Sequence, residues 1–165
     1  MKRFLFLILI VSFNVSAAEQ AITQWVYNTL ERAQANLDKG NVEAAERIYY
    51  DYSNDTWSSR SYDHFVILRT YAYFLLSFDR NEEALRYLKQ ASLKRDMPPY
   101  DIFELNFTLG QVYYVTGDRE NAKKTLLKWV EIGEKNKLDL KPEGYAILAT
   151  IYAQDEEWGN ALKYI

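Results

Sequence analysis

The residues of this chain that could do chemistry are few, and most of them fall in one stretch. Asp51, Asp55, Asp63 and His64 lie close together, and His64 is the only histidine in a chain that has no cysteine. Carboxylates and an imidazole can hold a cation, but the Asn and Ser residues between them are typical of an ordinary loop. With one histidine and no cysteine, the chain has almost no residues that could form a zinc site or a histidine-activated nucleophile. The stretch is therefore interpreted as a loop, with no metal ligand and no catalytic residue.

Two groups of neighbouring carboxylates could suggest general acid–base catalysis. They are Glu82-Glu83 and Asp155-Glu156-Glu157. Both lie at predicted helix starts, where acidic side chains interact favourably with the positive end of the helix dipole. The sequence also has no glycine-rich phosphate loop and no G-x-S-x-G motif. These observations favour a protein that is not an enzyme and that uses no cofactor.

The elements that must position these residues recur with a regular spacing. Four alanines, Ala45, Ala84, Ala122 and Ala161, follow one another at intervals of 39, 38 and 39 residues. A unit of two short helices cannot bury its own apolar side, so copies must stack into one continuous core. The spacing predicts an all-α solenoid of about three and a half helix-turn-helix repeats. The alternative is an ordinary helical bundle with an accidental periodicity.

Local signals agree with paired helices. Capping-box spacing, an acid three residues before a Glu, occurs at Asp79 with Glu82 and at Asp101 with Glu104. Pro142 fits the first turn of a helix, and Gly40 and Gly117 fit the turns within units. Together these signals predict helices at 19–38, 42–54, 61–78, 80–94, 102–116, 119–135, 142–154 and from 157 onward.

The third unit carries the most complete motif. Leu109-Gly110 is followed by Tyr113, and then by Ala122, Leu126 and Trp129. This pattern resembles the tetratricopeptide repeat (TPR), which has a Leu-Gly pair and a Tyr in its first helix and an Ala with a following apolar residue in its second. The second and fourth units repeat it, while the first unit is degenerate. At the helix crossings the pattern places small residues, at Ala33, Ala72, Gly110 and Ala149.

The resemblance also implies a binding surface. In the TPR family the first helix of each unit lines the inner surface, and mapping that surface onto this chain gives Tyr27, Gln34, Arg69, Tyr73, Phe107, Gln111 and Tyr114. Aromatic residues and Arg often carry the binding energy at protein interfaces. The alternative for each residue is a solvated side chain. A TPR subclass that clamps chaperone tails with Lys and Asn is not matched, because Leu30 and Gln34 occupy the clamp positions of the first unit.

The amino-terminal segment is of a different kind. Lys2-Arg3 precede the apolar run 4–11, and Ala17-Ala18 are small residues of the type that a signal peptidase reads. The apolar run is shorter than the roughly 20 residues of a membrane-spanning helix. We therefore expect a secretory signal peptide at residues 1–18 and a TPR-like solenoid at residues 19–165. The alternative is an uncleaved membrane anchor.

The net charge limits the kinds of partner that we expect for this chain. The net charge is −3 at pH 7, so the chain lacks the positive field that nucleic acid binding requires. Without cysteine, the stability of an exported chain must come from apolar burial rather than from disulfides.

The last unit stops at Ile165, inside a predicted helix, and would leave an apolar edge. We expect the full protein to continue beyond it, and we regard self-association through this edge as open.

Two segments extend the resemblance towards a function. The runs 109–116 and 145–152, together with the leader, look like exported TPR proteins of Gram-negative bacteria that are assigned to the TonB system. This implies a periplasmic adaptor or scaffold with protein partners in the cell envelope and no membrane span after cleavage. A second hypothesis is an assembly chaperone or scaffold for outer-membrane or cell-wall machinery. A third, an enzyme, would require a catalytic domain beyond Ile165.

Overall fold

Paired helices joined by tight turns make up the part of the chain that the structure describes. The computed structural model describes residues 21–54 and 61–165, and the predicted signal peptide lies outside them. Within those ranges there is no strand, and the α-helices are α1 Gln24–Asp38, α2 Val42–Ser53, α3 Ser61–Leu76, α4 Asn81–Ser92, α5 Pro99–Val115, α6 Arg119–Asn136, α7 Pro142–Gln154 and α8 Trp158–Ala161. A short 3-10 helix, Leu162–Tyr164, follows α8. The predicted all-α class is confirmed. Consecutive helix pairs are called units 1 to 4.

Each unit closes with the same left-handed turn. A positive φ occurs in the turn after the first helix of every unit: 77° at Gly40, 85° at Gly117 and 60° at Glu156, each one residue after the carboxyl cap, and 58° at Asp79, three residues after the end of α3. In unit 1 the N–H of Gly40 donates to the carbonyl of Leu37 at 2.9 Å. The equivalent bond recurs in the other units and satisfies a carbonyl that a helix end otherwise leaves unpaired. The predicted turns at Gly40 and Gly117 are therefore confirmed.

The two predicted capping boxes are wrong. The N-cap of α4 is Arg80, and Asp79 lies in the left-handed turn instead. Helix α5 begins at Pro99, earlier than predicted, because proline is well suited to a first helical position. Asp101 therefore lies inside the first turn and is buried. Pro142 is the first residue of α7, as predicted.

The units stack more closely on one side than on the other. Each second helix packs on the next first helix, as α2 does on α3, α4 on α5 and α6 on α7. The first helices α1 and α3 also contact each other, as do α5 and α7, while α3 and α5 are joined through side chains such as the Arg69–Asp101 pair. Second helices of adjacent units make no comparable contact within the described ranges. The first helices therefore line the inner side of the stack.

Buried apolar side chains form two clusters, and helices α5, α6 and α7 contribute to both. The N-terminal core lies mainly between α1 and α5, and the C-terminal core consists of Phe103, Phe107, Leu126, Trp129, Leu148, Tyr152 and Ala161. Leu105, Leu109 and Val112 of α5 belong to the N-terminal core, whereas Phe103 and Phe107 of the same helix belong to the C-terminal core. Ala122 of α6 and Ile151 of α7 also belong to the N-terminal core, so the two cores meet along α5, α6 and α7.

Small residues allow the helices to approach within and between units. A Cβ atom added at Gly110 would lie 2.6 Å from Leu126 Cγ, so the α5–α6 crossing requires glycine there. Ala33 and Ala72 are fully buried at the equivalent crossings, while Ala149 is only partly buried. Gly144 was not anticipated: its added Cβ would lie 2.4 Å from Trp129 Cζ3, between units 3 and 4.

Candidate functional site

Two of the residues first considered for metal chemistry, Asp63 and His64, have structural partners, while Asp55 lies outside the described residues. The carboxylate of Asp63 accepts hydrogen bonds from the Thr23 backbone N–H at 3.1 Å and from its hydroxyl at 2.9 Å. His64 lies with Nε2 2.9 Å from the Ser53 carbonyl and Nδ1 2.8 Å from Lys94 Nζ. Since a carbonyl only accepts and an ammonium only donates, His64 carries its proton on Nε2. In residues 21–54 and 61–165 no three acidic or histidine side chains could together hold a metal ion.

A buried carboxylate recurs at the same place in units 2 and 3. Asp63 bonds back to Thr23, 40 residues earlier, and Asp101 accepts from the hydroxyl of Tyr62, 39 residues earlier, at 3.1 Å. The two aspartates are 3% and 7% exposed. A buried carboxylate requires such donors to offset its lost hydration. These bonds join successive first helices along the inner side of the stack.

Unit 4 departs from this arrangement. Leu140 stands 39 residues after Asp101 and packs in the C-terminal core, Asp139 beside it is exposed, and neither is hydrogen-bonded to Tyr100, which is the equivalent of Tyr62. Tyr100 is 60% exposed, and its hydroxyl makes no hydrogen bond within the described part of the chain. Burial and then the nearby Glu104 carboxylate raise the pKa of Tyr100, so its hydroxyl remains a donor at neutral pH. The Tyr100 hydroxyl is therefore available to a partner on the inner side.

Arg69, a predicted contact residue, is held in place by its neighbours. Its guanidinium forms an ion pair with Asp101 and lies 5.0 Å from the centre of the Phe65 ring. Burial alone would lower the pKa of Arg69, but Asp101 more than offsets that effect and the pKa is raised, so the guanidinium stays charged. With 21% of its side chain exposed, Arg69 joins two units and presents little free surface.

Tyr73 and Tyr114 are half-buried on α3 and α5. Both rings pack against the N-terminal core. The Tyr73 hydroxyl lies 3.4 Å from Thr108 Oγ1 of the next unit, and burial raises the pKa of Tyr73. These tyrosines therefore contribute to packing and expose only part of each ring to a partner.

Phe107 lies inside the molecule. It is 8% exposed, and its ring centre is 5.1 Å from that of Trp129. Lys141 covers the ring at 4.5 Å and also pairs with Glu104 at 2.7 Å. The surface over Phe107 is thus formed by an ion pair between units 3 and 4.

The remaining predicted residues differ in exposure. Tyr27 on α1 is 52% exposed. Gln34, one helical turn before the end of α1, donates from Nε2 to Asp38 Oδ1 at 2.8 Å. Gln111 on α5 is partly buried. The structure therefore brings Arg69, Tyr73, Gln111 and Tyr114 onto neighbouring helices in the middle of the stack, with Tyr27 and Gln34 towards its amino-terminal end.

We call the resulting surface the first-helix face. Its members are Tyr27, Gln34, Tyr62, Arg69, Tyr73, Tyr100, Asp101, Glu104, Gln111, Tyr114 and Lys141. The sequence reading missed Tyr62, Tyr100, Asp101, Glu104 and Lys141 as members of this face. A signal for them existed, because Asp63 with Asp101 and Tyr62 with Tyr100 each repeat after 38 residues. Whether the face binds a partner remains a prediction.

The turn side of the stack is also bridged by ion pairs. Arg80 binds Glu46 of unit 1 and Glu83 of its own helix, both at 2.6 Å, and this lowers the pKa of Glu83. Lys123 of unit 3 binds Asp155 of unit 4 at 2.6 Å, which lowers the pKa of Asp155. These ion pairs join unit 1 to unit 2 and unit 3 to unit 4 on the turn side of the stack.

Comparisons with known proteins place the fold. Neither a protein-family model nor a curated protein sequence matches the chain. MamA has a similar structure, with a TM-score of 0.62 at 18% identity over 84% of this chain and 73% of its own. PilF of Pseudomonas aeruginosa gives 0.63 at 20% identity over 84% and 57%, and a TPR protein of Parabacteroides merdae gives 0.64 at 15% identity over 86% and 51%. The chain thus spans little more than half the length of the last two.

These likenesses concern the path of the backbone. Among the described residues, none of the helices is long and apolar enough to cross a membrane. The path of the paired helices is what this chain shares with the similar structures. The chain has the all-α fold of a tetratricopeptide-repeat solenoid.

Proposed function

We propose that the protein is a protein–protein interaction scaffold that binds its partner on the first-helix face. The observation that carries this proposal is Tyr100, which is 60% exposed and makes no hydrogen bond within the described part of the chain. Tyrosine combines an apolar ring with a hydrogen-bonding group and is enriched where binding energy concentrates. Tyr27, Gln111 and Tyr114 extend this surface along the stack.

The role that we propose is non-catalytic. General acid–base catalysis needs an ionisable group that reaches a substrate and exchanges a proton with it. On the first-helix face the carboxylates of Asp101 and Glu104 are ion-paired with Arg69 and Lys141. These groups are committed to joining units, which supports binding rather than chemistry as the task of the face.

We propose further that the protein is exported to the periplasm, where it acts as an adaptor linked to the TonB system. Lys2-Arg3, the apolar run 4–11 and Ala17-Ala18 support export, although they lie outside the described residues. Fractionation with amino-terminal sequencing tests this part. We expect a mature chain that starts near Ala18 or Glu19 in the periplasmic fraction. An intact leader recovered with membranes would contradict it.

Site-specific crosslinking tests the binding face. A photoreactive amino acid is placed at Tyr100 in living cells, and the matched control is Tyr50 on α2, which is 53% exposed on the second-helix side. We expect a discrete crosslinked species containing an envelope protein from position 100 and none from position 50. The reverse pattern would reject the first-helix face. Identification of a TonB-system protein supports the adaptor role, whereas an outer-membrane or cell-wall assembly protein supports the alternative scaffold.

A further inference from the structure

Two cations on the inner side of the stack are each held by an aromatic ring together with a carboxylate. Arg69 pairs with Asp101 and lies 5.0 Å from the centre of the Phe65 ring. Lys141 lies 4.5 Å from the centre of the Phe107 ring and pairs with a carboxylate of α5. The face of an aromatic ring attracts a cation, and the carboxylate adds a charge-assisted hydrogen bond. The inner side therefore has a recurring way of holding a cation.

A third combination of ring and carboxylate is exposed on α5. Tyr100 precedes Glu104 by four residues, so the two side chains lie on the same side of the helix. The Tyr100 ring is 60% exposed, and no cation of the described residues lies over it. Resting on the protein-binding role proposed above, we propose that the first-helix face binds a basic, arginine-containing segment of its partner, with one guanidinium of that segment over Tyr100.

Two glutamates at the junction of units 3 and 4 have oxygens available to such a cation. Glu143 is exposed in the first turn of α7 and forms no ion pair within the described residues. It stands 39 residues after Glu104, so the two glutamates occupy equivalent positions on α5 and α7, which contact each other. Oε2 of Glu104 binds Lys141, while Oε1 accepts no hydrogen bond from the described part of the chain. A guanidinium at Tyr100 can therefore reach a free carboxylate oxygen on its own helix.

The electrostatic surroundings of Tyr100 favour a cation over an anion. Burial and then the Glu104 carboxylate raise the pKa of Tyr100. The guanidinium of Arg69 acts in the opposite direction, but its effect is smaller than that of Glu104. A carboxylate therefore dominates the field at the phenol, and a second anion there would be repelled.

Negative charge is concentrated on the same side of the whole stack. The first helices α1, α3, α5 and α7 contain six acidic and two basic side chains, His64 left aside, whereas α2, α4, α6 and α8 contain eight of each. The formal charge is thus −4 on the first helices and 0 on the second helices. A basic segment is therefore attracted to the inner side rather than to the outer side.

The cations of the first-helix face leave no site for an acidic segment. Arg69 and Lys141 are both ion-paired with carboxylates of α5, and each pair joins two units. An acidic ligand would have to break one of these pairs. Among basic side chains, arginine suits Tyr100 better than lysine, because its planar guanidinium can stack on a ring while its N–H groups bond a carboxylate.

Calorimetric titration of the purified protein tests the proposal. The probe is a capped peptide of repeated Arg-Ser-Gly, and the control has citrulline, which is similar in shape and uncharged, in place of each arginine. We expect only the arginine peptide to bind. Its affinity should fall between about 0.1 M and about 1 M salt, since the Debye length shortens from about 10 Å to about 3 Å.

Variants of the ring test the contact with the guanidinium. Tyr100→Ala should weaken binding about twofold to fivefold, the range of a cation–π contact at an exposed site. Tyr100→Phe should retain most of the affinity, because the ring remains. Tyr50→Ala, on the second-helix side, is the control and should bind like the wild type, since Tyr50 is 53% exposed and lies outside the face.

Variants of the carboxylates separate a local contact from the net charge of the protein. Glu143→Gln should weaken binding by about threefold. Its matched control is Glu120→Gln, because both glutamates are exposed second residues of their helices and both variants remove one negative charge. Glu120 lies on α6, a second helix, so Glu120→Gln should bind nearly as tightly as the wild type.

Several results would overturn the proposal. They are equal binding of the citrulline peptide, tighter binding of an acidic peptide of the same length, an affinity that does not change with salt, and equal losses in Glu120→Gln and Glu143→Gln. Crosslinking from position 100 reports partner capture whatever the charge of the partner. Crosslinks that persist while the arginine peptide fails to bind reject the basic ligand alone, and loss of both rejects the face itself.

Discussion

The junctions among units 1 to 3 and the junction between units 3 and 4 use different chemistry at one position of the repeat. In units 2 and 3 this position holds Asp63 and Asp101, buried and hydrogen-bonded to the preceding unit. In unit 4 it holds Leu140, and the neighbouring contacts are apolar, with Trp129 fully buried against Gly144. The repeat therefore fixes where helices cross, while the side chains that join two units remain free to differ.

The hydrogen-bonded junction and the apolar junction constrain the packing of the units in different ways. A hydrogen-bonded carboxylate depends on direction and loses most of its value when one partner is removed. An apolar contact depends on shape and volume, so it is disturbed by cavities and by added atoms. Variants at Asp101 and at Trp129 should therefore fail in different ways, and the following predictions make use of that difference.

The largest effect is expected at Trp129. Trp129→Ala should lower the free energy of unfolding by ~3–5 kcal/mol through the cavity that it creates. Trp129 Nε1 has no hydrogen-bond partner within the described residues, so the loss is one of packing alone. Urea denaturation measures it, with Trp158→Ala, which is 63% exposed, as a control expected within about 0.5 kcal/mol of wild type.

Hydrogen exchange then shows whether the two cores are separate. Units of a solenoid contact only their neighbours, so Trp129→Ala should speed exchange in α5 to α7 and leave α1 to α3 protected. A uniform increase along the whole chain would contradict the division into two cores.

The next effect concerns the polar junction. Asp101→Ala should cost ~3 kcal/mol, because it leaves the partly buried Arg69 without its partner. The double variant Asp101→Leu with Arg69→Met replaces the ion pair by apolar side chains, as at the junction with unit 4. Replacing a buried ion pair by apolar residues of similar volume often changes stability little. We expect urea denaturation to show the double variant as more stable than Asp101→Leu alone. No recovery would mean that the carboxylate is essential to this junction.

A smaller effect is expected where the two cores meet. Gly110→Leu should destabilise by ~1–3 kcal/mol through overpacking, because its Cβ would lie 2.6 Å from Leu126 Cγ. Gly159→Leu is the matched control, since an added Cβ there meets no atom within 4 Å. Thermal unfolding measures both. An unchanged melting temperature for Gly110→Leu would show that α5 and α6 can separate without loss.

The smallest effects are expected in the turns. Asp79→Gly and Glu156→Gly should each stabilise by up to about 1 kcal/mol, since glycine adopts a positive φ without strain, although it gains entropy in the unfolded chain. Glu156→Gly should gain more, because aspartate tolerates this conformation better than glutamate. Gly40→Ala and Gly117→Ala should change stability in the opposite sense. Urea denaturation compares the turns with aspartate or glutamate at a positive φ with the turns that have glycine. Equal stability of all four variants would show that backbone strain at these turns does not affect stability.

The fold could be predicted from the sequence because it depends on local and periodic features. Ala45, Ala84 and Ala122 repeat at nearly constant intervals and are fully buried. Gly40 and Gly117 occupy turns that require a positive φ. These features depend on residues within one unit, so the pattern of a single unit is sufficient to recognise them.

The candidate site was only partly predictable. The repeat pattern placed Arg69, Tyr73 and Tyr114 on the correct helices, but whether each is free depends on its neighbour in the next unit. Asp101 engages Arg69, and its recurrence 38 residues after Asp63 was visible in the sequence. The burial of Phe107 was not visible, because it depends on Trp129 of α6 and on Lys141 before α7, which cover its ring.

The junction position also sets the order in which units can follow one another. A unit that begins with a buried aspartate needs a hydroxyl donor in the unit before it, and Thr23, Tyr62 and Tyr100 all supply one. A unit that has a leucine at this position, like Leu140 of unit 4, needs instead the apolar surface formed by Phe103 and Gly133. If unit 2 or unit 3 were duplicated in place, each copy would therefore still have a suitable unit before and after it. Unit 4 has one suitable predecessor, which makes the series of units directional.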